Sequence, residues 1–353
     1  MSNCMQTKII KINPNTPEEG LIREAANVLQ KGGLVAFPTE TVYGIGANFQ
    51  DSKAIEKLYR IKKRSKNKPF TFHIAGFETL NDLGVVLSER PRKVIHKFWP
   101  GPLTIVAFDK KGHKVGIRMP RNKIALALIK EAPFPLVAPS ANISGGRPPT
   151  SGQDVISEMS GAIDMILDGG SVEIGIESTV VDVTTDPFTV LREGAIPKED
   201  LLVDYHVLFI CTGNSCRSVM AKAVLEKFLR ESGLSQKVRV DSAGTASYYG
   251  IPAAPNTIQV MKELGEDVSM HKGKLVTMDL LKRSDFIYVM EHLHRDIVLN
   301  MLPWIGPKVM LLKEDENISD PIGRPLEEYR WVSKIIKDQV ENIFLEIFKK
   351  ETR

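Results

Sequence analysis

Residues 205–218, YHVLFICTGNSCRS, decide how the second half of the chain folds. The apolar, β-branched run Val207-Leu208-Phe209-Ile210 reads as a buried strand, Gly213-Asn214 as a tight loop, and the segment from Val219 as a helix. Cys211 opens the loop and Arg217 closes it, with five residues between them. Amides of such a loop pointing inward form an anion nest. The positive end of the following helix reinforces it, and Arg217 adds a bidentate fork for phosphate oxygens. The same positive field favours the thiolate form of Cys211, which is the nucleophilic form. A buried structural cysteine at a strand end is the plainer alternative. Strand, Gly-Asn, Arg-Ser and helix standing in register favour the catalytic one.

Outward from this stretch, Val238 to Val240, Phe286 to Val289 and Lys308 to Leu312 read as further strands alternating with helical segments. That pattern predicts a doubly wound four-stranded parallel sheet. The spacing predicts a last helix over Leu326 to Lys350, with Val332, Ile335, Ile336, Val340, Ile343, Phe344 and Ile347 as its buried stripe.

CTGNSCRS resembles the signature loop of the low-molecular-weight protein tyrosine phosphatases. Asp241-Ser242-Ala243-Gly244-Thr245 is similar to that family's second loop, Asp267 to His271 to a further segment, and Asp320-Pro321 to its general-acid loop. The resemblance implies that Cys211 attacks phosphorus, Arg217 holds the equatorial oxygens, and Asp320 protonates the leaving group and then activates water. It also implies that Thr212, Gly213, Asn214, Ser215, Cys216 and Ser218 complete the phosphate loop. Asn214, Ser218, Ser242 and His271 brace it, and Cys216 protects Cys211 through a disulfide under oxidation. Lys274 stands where the family more often has arginine. A phosphoprotein is the implied substrate. Phosphotyrosine is the leading residue, with Tyr248 and Tyr249 available to flank an aryl ring. The small polar Ser215, and Ile322 after Pro321, keep phosphoarginine open. Arsenate reduction through an internal cysteine cascade would need a cysteine after Cys216, and none follows. A catalytically dead phosphate reader would not need Cys211, Arg217 and Asp320 together.

At 353 residues the chain is too long for one ordinary core, so two domains are expected, 1–203 and 204–353, joined by the short Pro197–Asp204 segment. Hydrophobic content of 42% and charged content of 25% describe a soluble globular protein. A net charge of +4 suits anionic substrates without demanding a nucleic acid. No apolar run is long enough to span a bilayer, and the N-terminus, MSNCMQTKIIK, lacks a signal-peptide core. A cytoplasmic protein with no membrane partner is expected. Three cysteines, an odd number, fit a reducing compartment.

In the first half, Lys8 to Ile12 reads as a strand. Pro17 to Lys31 reads as an amphipathic helix with Thr16 as N-cap and Pro17 at its first position. Leu34 to Phe37 is a buried strand, followed by the loop PTETVYGIG, Pro38 to Gly46. A helix over Ser52 to Ile61 leads into a basic run: Arg60, Lys62, Lys63, Arg64, Lys66 and Lys68. A solvated basic face is the plain explanation, and a polyphosphate site is the sharper one. Strands follow at Phe70 to Ile74, Leu103 to Phe108, Val115 to Met119, Pro135 to Ala138, Ile163 to Leu167, Ser178 to Val183 and Phe188 to Leu191. Arg118 falls within an apolar strand, where a charge needs a partner.

PTETVYGIG, Lys62-Lys63-Arg64, FWPGPLT, GIRMP, APSAN and ESTVVD together resemble the YrdC family of threonylcarbamoyl-AMP synthases over about Lys8 to Leu202. Ser65 replaces the proline usual after the arginine. The resemblance implies a twisted mixed-sheet α/β domain. It would join L-threonine, bicarbonate and ATP into threonylcarbamoyl-AMP and pyrophosphate, and feed the transferase machinery of tRNA threonylcarbamoyladenosine modification. Lys62, Arg64, Ser140, Asn142 and Arg192 are then expected at ATP. Thr41, His73, Arg118 and Ser178 are expected at threonine, with Arg118 facing its carboxylate. Mg²⁺ is expected to arrive with the triphosphate, not on a protein ligand cluster. A simple double-stranded RNA-binding module using the basic run is the alternative from another class.

Overall fold

The computed structural model describes residues 6–348. The chain divides into two units, Met1–Leu201 and Leu202–Arg353, each taken by itself below.

The first unit is built on a ten-stranded mixed sheet. In spatial order its strands are Lys8–Lys11, Met165–Asp168, Val35–Pro38, Tyr43–Asn48, Leu136–Val137, Phe72–His73, Lys114–Arg118, Leu103–Phe108, Thr179–Asp182 and Thr189–Arg192. Both faces of its central strands are covered. Leu34 and Ala36 enter one apolar cluster with Tyr43, Ile45 and Leu58, while Val35 and Phe37 enter the opposite one with Leu29, Leu128 and Leu167. A strand buried on both faces shows no polar alternation. This is why the strand Tyr43–Asn48, of which Tyr43 to Gly46 were expected as loop, carries no strand pattern: every residue is buried, and it pairs antiparallel with Val35–Pro38, Ala36 opposite Ile45. The hairpin is closed by Thr39, whose Oγ1 donates to Val42 O at 2.7 Å.

Other expectations are corrected as well. The first helix is Glu19–Gln30 with Glu18 at its N-cap and no side-chain cap, so Thr16 and Pro17 lie outside it. Asn13 Oδ1 instead accepts the amides of Asn15 and Thr16, holding them in a turn. The Ser52–Ile61 helix is capped by Asp51, which accepts from Lys53 and Ala54. It stops at Lys62-Lys63, where Lys63 takes a positive φ of 48°. Among the helices not read from the pattern, the longer ones, Glu89–Phe98, Lys123–Glu131 and Gly152–Met159, fill the connections. Asn122 caps the second, and a Ser151/Asp154 capping box opens the third.

The second unit is a four-stranded sheet, all parallel, in the order Val238–Gly244, Tyr205–Cys211, Phe286–Val289, Val309–Leu311. Alternation along Tyr205–Cys211 divides its core. Val207, Phe209 and Cys211 face one apolar cluster, and Leu208 and Ile210 the other. Helices Arg217–Glu231, Pro255–Glu263 and Leu326–Ile347 pack together over the first face. Val332, Ile336, Val340, Ile343 and Phe344 of the expected stripe are buried there, with Ile335 and Ile347 partly buried beside them. The expected continuation of the last helix to Lys350 lies outside the described residues. Among the described residues no helix is long and apolar enough to cross a membrane.

Candidate active sites

The loop after Tyr205–Cys211 wraps around the cysteine sulfur. Asn214 holds a left-handed φ of 53°, a conformation asparagine tolerates better than most residues. That turn sends its amide to Cys211 Sγ at 3.3 Å. Ser218 Oγ lies 3.0 Å from the same sulfur. Asn214 then locks the loop to three other segments. Its Nδ2 donates to Ser218 Oγ and Ser242 Oγ, both at 3.0 Å; its Oδ1 accepts the Lys274 amide at 2.9 Å; its carbonyl lies 2.8 Å from His271 Nε2. Burial pushes the His271 pKa down, so the ring is neutral at physiological pH. Gly244 admits this approach, because a Cβ there would fall 2.5 Å from Thr212 O.

The helix starts at Arg217, two residues earlier than its sequence pattern indicates, which points the guanidinium back under the loop. Arg217 is 1% exposed. Nη1 donates to Ile318 O at 2.7 Å and to Glu291; Nη2 donates to Asp320 Oδ2 at 2.6 Å and Thr212 Oγ1 at 3.3 Å. Thr212 Oγ1 also lies 2.9 Å from Nε2 of fully buried His294, whose pKa burial lowers. Cys216 Sγ points toward the Tyr329 hydroxyl at 3.9 Å, and burial pushes its thiol up. The structure thus gathers Cys211, Arg217 and Asp320 with Thr212, Asn214 and Ser218. Lys274 supplies its amide to the loop and its ammonium, with His206 and Arg283, to buried Asp241. Hydrogen bonds from His206 and Lys274 and their nearby charge outweigh the burial that opposes them, and they hold the Asp241 carboxyl well below the usual range.

In the first unit a cavity of about 640 Å³ opens over the half of the sheet that runs from Phe72–His73 to the edge strand Thr189–Arg192. Arg64, His73, Arg118, Ser140, Ser178 and Arg192 are in its wall. Lys62, Asn142 and Thr41 are not in that wall, and each braces a residue that is. Lys62 is buried and gives its ammonium to the carbonyls of Ser140 and Asn142; burial lowers its pKa to about 8. Asn142 Oδ1 accepts from Ser140 Oγ at 2.6 Å, while its Nδ2 donates to Gly146 O at 2.7 Å. Thr41 Oγ1 accepts from Arg118 Nη2 at 2.8 Å. Arg64 folds back on the carbonyls of Lys68 and Pro69 beside the Phe70 ring. Arg192 donates to Ser178 O, to Ser178 Oγ and to Glu177 Oε1, the last at 2.7 Å. His73 neighbours Arg118 across two parallel strands. Burial and that guanidinium together push its pKa down to about 3, so the imidazole is neutral.

Four contributors were missed in the sequence: Glu40, Glu177, Glu291 and His294. Glu40 and Glu177 sit inside the motifs PTETVYGIG and ESTVVD, and a carboxylate beside an expected anion site is a usable signal. Glu291 and His294 follow the Phe286–Val289 strand at its carboxyl end, where open parallel sheets gather ligands. No group of three or more metal-suited side chains occurs among the described residues.

Comparison with known proteins follows the same division. A Sua5/YciO/YrdC family model described as "Telomere recombination" matches residues 27–194, and one described as low molecular weight phosphotyrosine protein phosphatase matches residues 206–353. A threonylcarbamoyl-AMP synthase of Pyrococcus abyssi is 44% identical over 193 residues, covering 52% of this chain and 57% of the relative. A putative threonylcarbamoyl-AMP synthase of Methanocaldococcus jannaschii is 34% identical over 208 residues, covering 56% of this chain and 98% of its own length. The chain thus spans a little over half the length of the Pyrococcus relative and nearly all of the Methanocaldococcus one. The crystal structure of P. abyssi Sua5 complexed with L-threonine aligns over 95% of this chain and 98% of its own, with 26% identity and a TM-score of 0.53. With its ten-stranded sheet and this extended sequence identity, the chain belongs to the Sua5/YciO/YrdC family, joined in one polypeptide to a domain of the low-molecular-weight phosphatase family.

Proposed function

We propose that the chain carries two activities: synthesis of threonylcarbamoyl-AMP and pyrophosphate from L-threonine, bicarbonate and ATP for tRNA modification, and cysteine-dependent hydrolysis of a phosphoprotein. One observation carries the first. The cavity wall presents Arg64, Lys68, Lys114, Arg118 and Arg192; Glu177 is the carboxylate in that wall, Asp182 and Glu40 pair Lys114 and Arg118 from outside it, and the surplus of cations is a setting for a polyanion bound beside a carboxylate. Arg118 Nε is buried without a hydrogen-bond partner among the described residues, which suits it to an incoming carboxylate such as that of threonine. Neutral His73 closes that end without adding charge. Arg64 and Arg192, whose charges lie near one another, would take the phosphates, with Lys62 and Asn142 holding the Ser140 loop in place. Adenylation is a displacement at phosphorus, so positioning and charge neutralisation supply most of the rate. Mg²⁺ would arrive on the triphosphate; Glu177, whose Oε1 already accepts from Arg192, is the one carboxylate in this wall that could reach it, and the ion would neutralise charge on the departing pyrophosphate.

The structure weakens the RNA-module alternative for the basic run. Lys62 is buried on carbonyls and half-buried Arg64 folds back on its own loop, which leaves Arg60, Lys63, Lys66 and Lys68 as the exposed part of the run.

In the second unit Cys211 sulfur would attack phosphorus as the ester P–O bond breaks, with the proton for the leaving oxygen coming from Asp320. Water would then displace sulfur, returning a proton to Asp320. Phosphotyrosine is favoured by one feature. The segment after Gly244 is pinned to the phosphate loop through Thr245 N to Cys211 O, Ala246 N to Thr212 O and Ala254 N to Ser215 O. Tyr248 and Tyr249, on that segment, are 66% and 84% exposed and available to a substrate ring.

Pyrophosphate release requiring both threonine and bicarbonate tests the first activity. Hydrolysis of phosphotyrosine and phosphoarginine peptides, with Cys211→Ser as control, tests the second. Pyrophosphate release without threonine would defeat the first reading; faster phosphoarginine turnover would replace phosphotyrosine as substrate.

A further inference from the structure

The Arg217 guanidinium is used unevenly. Nη1 is doubly engaged, by Ile318 O and Glu291. Nη2 is engaged by Asp320 and, at longer range, by Thr212 Oγ1. Nε is buried and has no hydrogen-bond partner among the described residues. A phosphate gripped side-on needs two adjacent N–H groups. With Nη1 committed on both sides, the edge left for a phosphoryl group is Nε with Nη2, and the Asp320 carboxylate already engages Nη2, one of its two nitrogens. The Glu291 and Asp320 side chains are 24% and 32% exposed, whereas Arg217 is sealed beneath them.

We propose that Asp320 and the substrate phosphoryl group compete for Nη2 of Arg217, while Glu291, together with Ile318 O, is a positioning residue that keeps Nη1 in place throughout. A phosphoryl dianion settling on Nε and Nη2 repels and replaces the Asp320 carboxylate. The displaced carboxylate takes up a proton from solvent water and reaches the leaving group as the acid only when a phosphoryl group is bound. Glu291 opposes the arginine being drawn out of its seat by the new anion. This rests on the phosphatase reading above and adds to it an exchange of anions on one guanidinium.

The test titrates the full-length protein with inorganic phosphate by calorimetry, so that binding is read without turnover. Asp320→Ala is expected to bind phosphate about fivefold tighter, because the internal competitor is gone. Glu291→Ala is expected to bind it about tenfold more weakly and to raise KM far more than it lowers kcat; Glu291→Gln, whose amide oxygen still accepts from Nη1, falls between. Unchanged or weaker binding by Asp320→Ala overturns the competition, and unchanged or tighter binding by Glu291→Ala overturns the anchor. If Glu291→Ala does not fold, Glu291→Gln decides the anchor alone: weaker binding supports it and equal binding overturns it. Absence of phosphate binding by every variant also overturns the proposal. Loss of p-nitrophenyl phosphate hydrolysis in Cys211→Ser is the separate check on the phosphatase reading, and its failure leaves the phosphate titration still decisive.

Discussion

Arg118 and Glu40 form an ion pair sealed from solvent on both sides: Nη2 donates to Glu40 Oε1 at 2.8 Å, with side-chain exposures of 6% and 2%. The other Glu40 oxygen accepts the Arg121 amide at 3.0 Å. The carboxylate therefore ties the Phe37–Tyr43 hairpin to the end of the Lys114–Arg118 strand. Replacing Glu40 with alanine strands a buried guanidinium, and a loss of about 3–5 kcal/mol is expected. Denaturant unfolding of Glu40→Ala checks it. Glu40→Gln, which keeps the hydrogen bonds, should lose less.

Acid should weaken the first unit through His73. Its folded pKa lies near 3, against about 6.5 when unfolded. Between those values the unfolded chain binds a proton that the folded one excludes. The contribution is complete above about pH 6.5 and falls as pH drops toward 3. Between pH 6.5 and 5 the loss amounts to about 2 kcal/mol. Stability measured at the two pH values should fall less in His73→Gln by about that amount. Equal slopes would show that the ring is not neutral in the fold.

The phosphate loop depends on Asn214 for backbone shape and for its side-chain bonds. Asn214→Ala forces an ordinary residue into a positive φ and leaves buried partners at Ser218, Ser242 and Lys274 short of a bond. A destabilisation of about 2–4 kcal/mol and at least a roughly tenfold fall in phosphatase turnover are expected. Pyrophosphate release by the first unit serves as the internal control and should persist.

Cys216 should be the slower thiol. Burial raises its pKa and its sulfur points toward Tyr329 and Ser215, away from any charged partner in hydrogen-bond reach. Peptide mapping after brief iodoacetamide treatment at neutral pH should find Cys211 modified well before Cys216, and added phosphate should protect Cys211. Preferential labelling of Cys216 would show that the loop field acts on the wrong sulfur.

Gly194 lies where the chain passes over the Glu177-Ser178 backbone, and a Cβ there would sit 2.3 Å from Glu177 O and 2.6 Å from the Ser178 carbonyl carbon. Gly194→Ala must displace Ser178 and, with it, Arg192. A KM for ATP raised about tenfold is expected, read from pyrophosphate release. An unchanged KM would mean that the Arg192–Ser178 contact is not part of the nucleotide site.

The loop around Cys211 was legible because its geometry is local. A strand, six loop steps and a helix start fix where Cys211 and Arg217 must lie relative to each other, whatever surrounds them. The basic run was less legible for the opposite reason: its charges look equivalent in sequence, yet the helix end at Lys62 drives one ammonium inward onto carbonyls 78 and 80 residues away. The Tyr43–Asn48 strand was invisible because burial on both faces erased the alternation by which strands are recognised.

The sequence by itself determined the two α/β units, the order of their motifs and the chemistry each loop can offer, since these follow from short-range periodicity, turn residues and side-chain type. Only the tertiary structure decided which carboxylate meets which arginine. Glu40 reaches Arg118 across 78 positions, and Arg217 meets Glu291 and Asp320 across 74 and 103. Such pairings are set by strand order and by which loops emerge at the same sheet edge, and no local pattern in the chain encodes them.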